Sequence, residues 1–368
     1  MLFGFTIFIC FLSSVFFSKT KFIGLIALIV FAFLAGNANP STTLDYQVYL
    51  NHYNLLGWEA SPFEKGYTDL SLLFSRLGYT YAQFRLFFAI LAFLILFVGI
   101  CLFTNKVALF SGVYGITVFF NDATQIRNLM MISLVVLGAG LLSKRRSLYK
   151  VMGIFVILLS TQFHDLGFVF ALIIIPLSFC NIIVLQRIYK YAVLVLYVLG
   201  FVFTISSHIS IVQLLATFLM KFSSRSNSAE NVITNFGRGN SYSTTIMMWI
   251  TLLLVSILFT ELTRICMRAD VDQQKVKLLY VGSAISMIVV FFIVLAPDYS
   301  RISRNAFLFV IILLCVTLEQ KRVISLTKKN MVRLVLLLSV LTLTTYINTK
   351  IWGAPYAESL PYLAQLKK

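Results

Sequence analysis

Arg127, Arg301 and Arg304 stand near the start of apolar runs, and His164 and Asp165 lie side by side just ahead of another. A guanidinium group can hold phosphate or pyrophosphate bidentately. An unperturbed imidazole titrates near 6.5, so it can exchange a proton at neutral pH. These residue types fit chemistry in which a phosphate or pyrophosphate group is held and a proton is exchanged. A preorganised donor to the leaving charge is worth about 100- to 1000-fold in rate. A positioned base adds typically about 100- to 10,000-fold. Candidates for the base are His164, Asp165, Glu64 and Asp45, with His164 ranked first and then Glu64 and Asp45, while Asp165 could also orient the His164 ring. Gln125 and Arg304 stand near as helpers, Tyr49 and Tyr67 could stack on a ring-shaped substrate, and Arg225 and Arg238 lie in a Ser- and Asn-rich stretch.

The elements that must position these residues follow from composition. The 368 residues are 60% hydrophobic and only 12% charged, with a mean hydropathy of +0.92. Soluble domains carry roughly 25% charged residues. The chain therefore reads as all-α, a polytopic integral membrane protein forming one membrane domain over 1–368. A net charge of +17 invites a nucleic-acid partner. The basic residues, however, fall in short clusters between apolar runs and not along one exposed face, which argues against it. Cys10, Cys101, Cys180, Cys266 and Cys315 lie in or beside apolar runs without CxxC spacing, so they read as small buried hydrophobes. The N-terminus lacks a basic n-region and a small-x-small cleavage site, so 1–17 reads as a retained span.

A crossing helix needs about 20 apolar residues. The candidate spans are 2–17, 22–36, 82–103, 107–120, 124–142, 151–163, 166–186, 190–206, 244–262, 276–296, 304–319 and 331–347. With "SKTK" placed in the cytoplasm, alternation puts Lys106, "SKRRSLYK", "QRIYK", "TRICMRADVDQQKVK" and "EQKRVISLTKKN" there too. About twelve helices result, with both termini outside. Trp58, Trp249 and Trp352 then fall at or near the outer interface, which suits an amphipathic ring.

Two long segments lie on the outer side, 37–81 and 207–243. In the first, Asp45, Tyr49 and Tyr53 recur at i, i+4 and i+8, one helical face. Phe63, Tyr67, Leu70 and Phe74 form a second stripe. Both read as interfacial helices. The second segment turns polar at "SSRSNSAENVITNFGRGNS", which reads as a loop.

An arginine at a helix N-terminus opposes the helix dipole. Arginine on the outer side also opposes the positive-inside rule. A compensating anion is the inference, and Arg127, Arg301 and Arg304 point to one anion site at the outer interface. Each arginine could instead snorkel to lipid phosphates, adding little to packing. Asp298 could serve Arg301 as a structural partner, and Asp165 could serve His164. His52 and His208 read as lone loop histidines. No DxD-like acidic pair occurs, so no metal and no cofactor is expected, with arginine taking the cation's place.

The ordered series "LDYQVYLNHY", "FEKGYTDLSLLFSRLGY", "QIRN", "QFHDLGF" and "DYSRISRNAFLF" resembles the EpsG-type, Wzy-like polysaccharide polymerases over residues 1 to 310. Lys65 stands where a proline is common, and Arg304 where an aromatic is expected. Either Arg301 or Arg304 therefore holds the family's arginine position. The resemblance implies an enzyme that moves a growing glycan from undecaprenyl pyrophosphate to the non-reducing end of a lipid-linked repeat unit. The reaction would take place on the outer face of the bacterial cytoplasmic membrane. Implied partners are that lipid-linked oligosaccharide, membrane lipid and a chain-length regulator protein. A lipid-linked oligosaccharide flippase is the main alternative. It should carry charge at the bilayer midplane, whereas the charges here gather at one face. An O-antigen ligase would use the same donor.

The charge map makes a topology prediction. Ser228→Cys or Asn240→Cys should react with an impermeant thiol reagent in intact spheroplasts. Arg145→Cys or Lys328→Cys should not, and reversed labelling would place the arginines in the cytoplasm.

Overall fold

The computed structural model describes residues 1–41, 43, 45–205, 239–320 and 328–358. Among them the regular elements are helical. The first five are α1 (Leu2–Phe16), α2 (Lys21–Gly36), α3 (Tyr46–Asn54), α4 (Lys65–Arg76) and α5 (Tyr81–Cys101). Then come α6 (Val107–Thr117), α7 (Phe119–Thr124), α8 (Ile126–Leu142), α9 (Ser147–Ser160), α10 (Leu166–Leu177) and α11 (Ile182–Ile205). The last are α12 (Tyr242–Arg268), α13 (Gln273–Ala284), α14 (Val289–Phe292), α15 (Ser300–Leu318) and α16 (Lys328–Glu358). Short 3₁₀ turns at Ile285–Ile288 and Pro297–Tyr299 precede α14 and α15.

Among the described residues, five segments are long and apolar enough to cross a membrane: Tyr81–Cys101, Ile182–Ile205, Tyr242–Arg268, Gln273–Phe292 and Pro297–Leu318. Seven shorter apolar helices accompany them, among them Val107–Thr117 and Leu166–Leu177. Large apolar side chains such as Phe8, Phe22, Phe155 and Leu172 are exposed on the flanks, as lipid contact requires. α8 and α15 form the centre, where almost every residue is buried.

Several expected boundaries move. The "QRIYK" stretch is not a loop but the first turns of α11. The break comes earlier, where Asn181 Oδ1 accepts from Ile183 N at 2.8 Å and starts the helix. Likewise α12 runs on to Arg268, so much of the expected loop 263–277 is helical. The expected span 107–120 splits into α6 and α7 at Val118, and α7 carries Asp122.

The two helices of the 37–81 segment pack down onto the bundle. Tyr46, Tyr49 and Tyr53 of α3 and Tyr67 of α4 are buried. Asp45 departs from its expected place on the α3 face: it precedes the helix in a left-handed conformation, φ 62°, and its side chain does not cap it. Phe63 also precedes its helix.

Glycines set the closest helix approach, as small residues do in membrane bundles. A Cβ on Gly138 of α8 would lie 2.5 Å from Ile157 Cγ1 and 2.8 Å from Gly153 O of α9. A Cβ on Gly153 would meet Gly138 O at 2.7 Å. Gly138→Val should therefore destabilise the protein by about 2 kcal/mol or more, through overpacking. Gly4→Val, which meets nothing within 4 Å, should leave thermal unfolding in detergent unchanged. Equal melting of the two variants would contradict this packing.

Candidate functional site

The site is built on the head of α8, whose Gln125 and Arg127 reach to different neighbours. Arg127 Nη1 donates to Glu64 Oε2, forming an ion pair in which the side chains are 13% and 6% exposed. Its guanidinium carbon also lies 4.0 Å from the ring centre of Phe63, 5.3 Å from Tyr49 and 5.7 Å from Tyr67. A desolvated cation over aromatic faces gains about 2 kcal/mol. The alternative in which Arg127 snorkels with little packing role does not hold, because its charge is enclosed by three rings and a carboxylate.

Glu64 is the N-cap residue of α4. Its second oxygen accepts the backbone N–H of Asp165 at 3.1 Å. The same connection is tightened by Tyr67 N, which donates to Gln162 O at 3.2 Å. Gly66 permits this approach, since a Cβ there would lie 2.7 Å from Gln162 Cβ and 2.8 Å from its carbonyl oxygen. The segment between α9 and α10 is therefore tied to the head of α4. Within it, His164 Nδ1 accepts from Leu166 N at 3.2 Å. A neutral ring so placed carries its proton on Nε2. The side chain of His164 is half-buried and Asp165 is exposed.

His52, read from sequence as a lone loop histidine, joins the cage, with its ring centre 4.6 Å from that of Phe63. Burial, helped by Arg127, pushes its pKa down to about 4. Burial also raises the phenols of Tyr49 and Tyr67, with Arg127 partly offsetting the shift in each. The Tyr67 hydroxyl and His52 Nε2 are buried with no hydrogen-bond partner among the described residues. Unsatisfied buried groups cost about 1–3 kcal/mol each.

Gln125 faces α15. Its Oε1 accepts from Arg304 Nη2 at 2.6 Å. Three residues after Gln125 and one after Arg304, Asn128 and Asn305 exchange side-chain hydrogen bonds of 2.9 and 2.7 Å. Asn128 also donates to Asp122 Oδ1 at 3.4 Å, while the Tyr114 hydroxyl donates to Oδ2 at 2.9 Å. Burial raises the Asp122 carboxyl to about 6, against the lowering pull of Arg304. Arg304 is only 2% exposed, so it is enclosed by protein and not open to lipid phosphates. Arg301, one turn earlier, is 24% exposed and pairs with Asp298 at 3.0 Å.

Arg85 of α5 escaped the sequence reading. Fully buried, it donates to Ala35 O at 3.1 Å, the Tyr81 hydroxyl at 3.2 Å and Ala123 O at 2.5 Å. Its guanidinium lies 5.1 Å from the Tyr46 ring centre. It joins the end of α2 to α7. The signal was present, since an arginine stands five residues into a span, on the side where the others gather. The Asn128–Asn305 pair had a signal too: Arg-Asn occurs at both helix heads, in "QIRN" and "SRISRN".

The structure thus brings Glu64, Arg127, Tyr49, Tyr67, His164 and Asp165 into one cluster, and Gln125, Arg304 and Arg301 into a neighbouring one on α8 and α15. Asp45 reaches the first cluster only indirectly: its carbonyl oxygen accepts from Tyr49 N at 3.0 Å, while its side chain makes no cap hydrogen bond. Arg225 and Arg238 lie outside the described residues. Among the described residues, no three His, Cys, Asp or Glu side chains group to hold a metal ion.

Apolar helices with buried arginines gathered at their heads define a multi-pass membrane protein with a polar site at one end of the bundle. The EpsG family model matches residues 20–364, nearly the whole chain, and the chain belongs to the EpsG family. Membership makes it a polysaccharide-biosynthesis membrane protein of glycosyltransferase-like polymerase type. No curated protein and no solved structure matches it.

The ion pair yields a stability prediction. Removing one partner of a buried pair leaves an uncompensated charge, at about 3–5 kcal/mol. Arg127→Met and Glu64→Gln should each lower the melting temperature in detergent clearly. The double variant should melt no lower than the worse single one, because the two losses are shared. Additive losses would mean that the groups act separately.

Proposed function

We propose that the chain joins lipid-linked oligosaccharide repeat units. It moves the growing glycan from undecaprenyl pyrophosphate to the non-reducing end of an incoming unit, on the outer face of the bacterial cytoplasmic membrane. This reading counts the seven shorter apolar helices with the five long ones as twelve crossings. The observation that carries it is the placement of Arg301 and Arg304 one helical turn apart at the head of α15, beside Gln125 on α8. A donor with a diphosphate head and a long apolar tail suits cations set at helix heads in an apolar bundle.

In the reaction the acceptor hydroxyl oxygen bonds to the anomeric carbon, the carbon–oxygen bond to the diphosphate breaks, and the hydroxyl proton passes to a base. Arg301 holds the leaving diphosphate, since its side chain, paired with Asp298, stays 24% exposed and open to a ligand. Arg304 supports it from a buried, preorganised position. Arg127 acts through Glu64, fixing the segment that presents His164 and Asp165. Because Leu166 N–H occupies His164 Nδ1, the neutral ring is a donor, suited to a substrate oxygen. The role of base then falls to the Asp165 carboxylate. Tyr49 and Tyr67 shape the cage and not a sugar platform, since both are buried. Turnover without a divalent cation is part of the proposal, as is a chain-length regulator as partner.

The test is the ladder of glycan lengths in a polymerase-null strain complemented at matched membrane levels. Arg301→Ala and Arg304→Ala should each collapse the ladder to single units, with Arg301→Lys recovering part of it, since a point charge cannot bind bidentately. Asp165→Asn should slow growth about 100-fold or more, as loss of a base does. A normal ladder from Arg301→Ala and Arg304→Ala would sink the diphosphate site. Trapping of units inside the cell would favour a flippase instead.

A further inference from the structure

The end of the bundle away from the site holds a second, larger feature. α12 begins beside the lead-in to α15, with Gly239 N donating to Leu295 O at 2.8 Å. Its 27 residues carry it about 40 Å along the bundle at 1.5 Å per residue. Near its far end, a cleft of about 1320 Å³ opens between α11, α12 and α16, backed by Tyr280 of α13. Sites for small molecules occupy roughly 300–1,000 Å³, so this cleft suits a longer ligand.

The lining divides by chemistry. Arg187 and Lys190 come from α11, Glu261, Arg264 and Arg268 from α12, and Arg333 from α16. That is five cations against one carboxylate. Arg264 reaches Glu261 at 3.2 Å, and Arg333 Nε reaches it at 3.1 Å, so one acid is shared by two arginines. Val193, Ile257 and Leu336 carry the lining on as an apolar wall. The floor is held by the Tyr189 and Ser256 hydroxyls, 2.5 Å apart. α11 otherwise stands away from the bundle, with only Ile182, Leu185 and Gly200 buried in its length. Exposed Ile188, Leu194 and Val332 flank the opening, so the cleft faces the hydrocarbon sideways.

We propose that this cleft binds one anionic phospholipid. The phosphate of its head group meets the arginines at the rim, and an acyl chain runs along Val193, Ile257 and Leu336. The charge excess selects an anionic head, since basic pockets between membrane helices hold such groups. The apolar wall selects a chain-bearing ligand over free phosphate. The sideways opening admits a bilayer component and not a soluble peptide. The proposal is independent of the glycan chemistry, which uses the other end of the bundle.

The test uses the full chain in bilayers of phosphatidylethanolamine with a minority of phosphatidylglycerol, extracted and weighed by native mass spectrometry. Retained lipid should be enriched in phosphatidylglycerol over the bulk mixture. Each of Arg187→Gln and Arg268→Gln should cut that enrichment about fivefold, whereas Arg145→Gln with Arg146→Gln, outside the cleft, should not. Retained lipid at the bulk ratio would overturn the proposal. So would full retention by the Arg187→Gln/Arg268→Gln double variant, or displacement by excess inorganic phosphate, which would mark a bare anion site. A further variant guards against misfolding. In Leu336→Trp, with the arginines intact, tail-brominated phosphatidylglycerol should quench the added fluorescence more than tail-brominated phosphatidylethanolamine, and equal quenching would refute the cleft as the place of binding.

Discussion

A cation buried near the boundary of an apolar bundle has to be matched on the spot, and Arg127 is matched by Glu64. The pair joins a helix of the bundle to a helix carried by a long loop. Desolvation of both charges is offset by their attraction, by the Asp165 N–H on the second Glu64 oxygen and by three aromatic faces around the guanidinium. Were any of these absent, α4 would lose its anchor. With α4 go the contact through Gly66 and the position of the segment that carries His164 and Asp165. The site's shape is thus set by one ion pair and by the aromatic rings that enclose it.

The second half of the site obeys the same constraint with a different partner. Arg304 is set into the bundle against the amide of Gln125, beside the reciprocal Asn128–Asn305 pair. Amides satisfy each other without net charge, so they fix the relation of α8 and α15 at low desolvation cost. Arg85 repeats the pattern with carbonyl oxygens from Ala35 and Ala123. The helix heads at this end are therefore held by hydrogen bonds in defined directions, while the flanks pack through glycine and apolar contact. Such rigidity suits an active site, where donors must be in place before charge develops.

Much of this was legible in the chain. Apolar runs marked the helices, because crossing a bilayer requires length and hydrophobicity. The Asp298–Arg301 pair followed from i, i+3 spacing, and the tyrosine stripe from period alone. What periodicity could not show was which polar residues meet across distant segments. Glu64 and Arg127 are 63 positions apart, and Asn128 and Asn305 are 177 apart. Nothing local distinguishes a snorkelling arginine from a caged one, since both read as arginine at the start of an apolar run. The start of α11 was misplaced for a related reason. "QRIYK" reads as a basic loop, yet long basic side chains are compatible with a helix whose flank opens on a cleft.

The central claim is that this chain itself joins repeat units and releases the lipid diphosphate. It is tested most directly with purified protein and a defined undecaprenyl-pyrophosphate-linked repeat unit, with no other protein present. The account predicts a ladder of glycan lengths, with one free undecaprenyl pyrophosphate appearing for each unit added. Single units throughout, from protein shown to be folded by its melting curve, would contradict it.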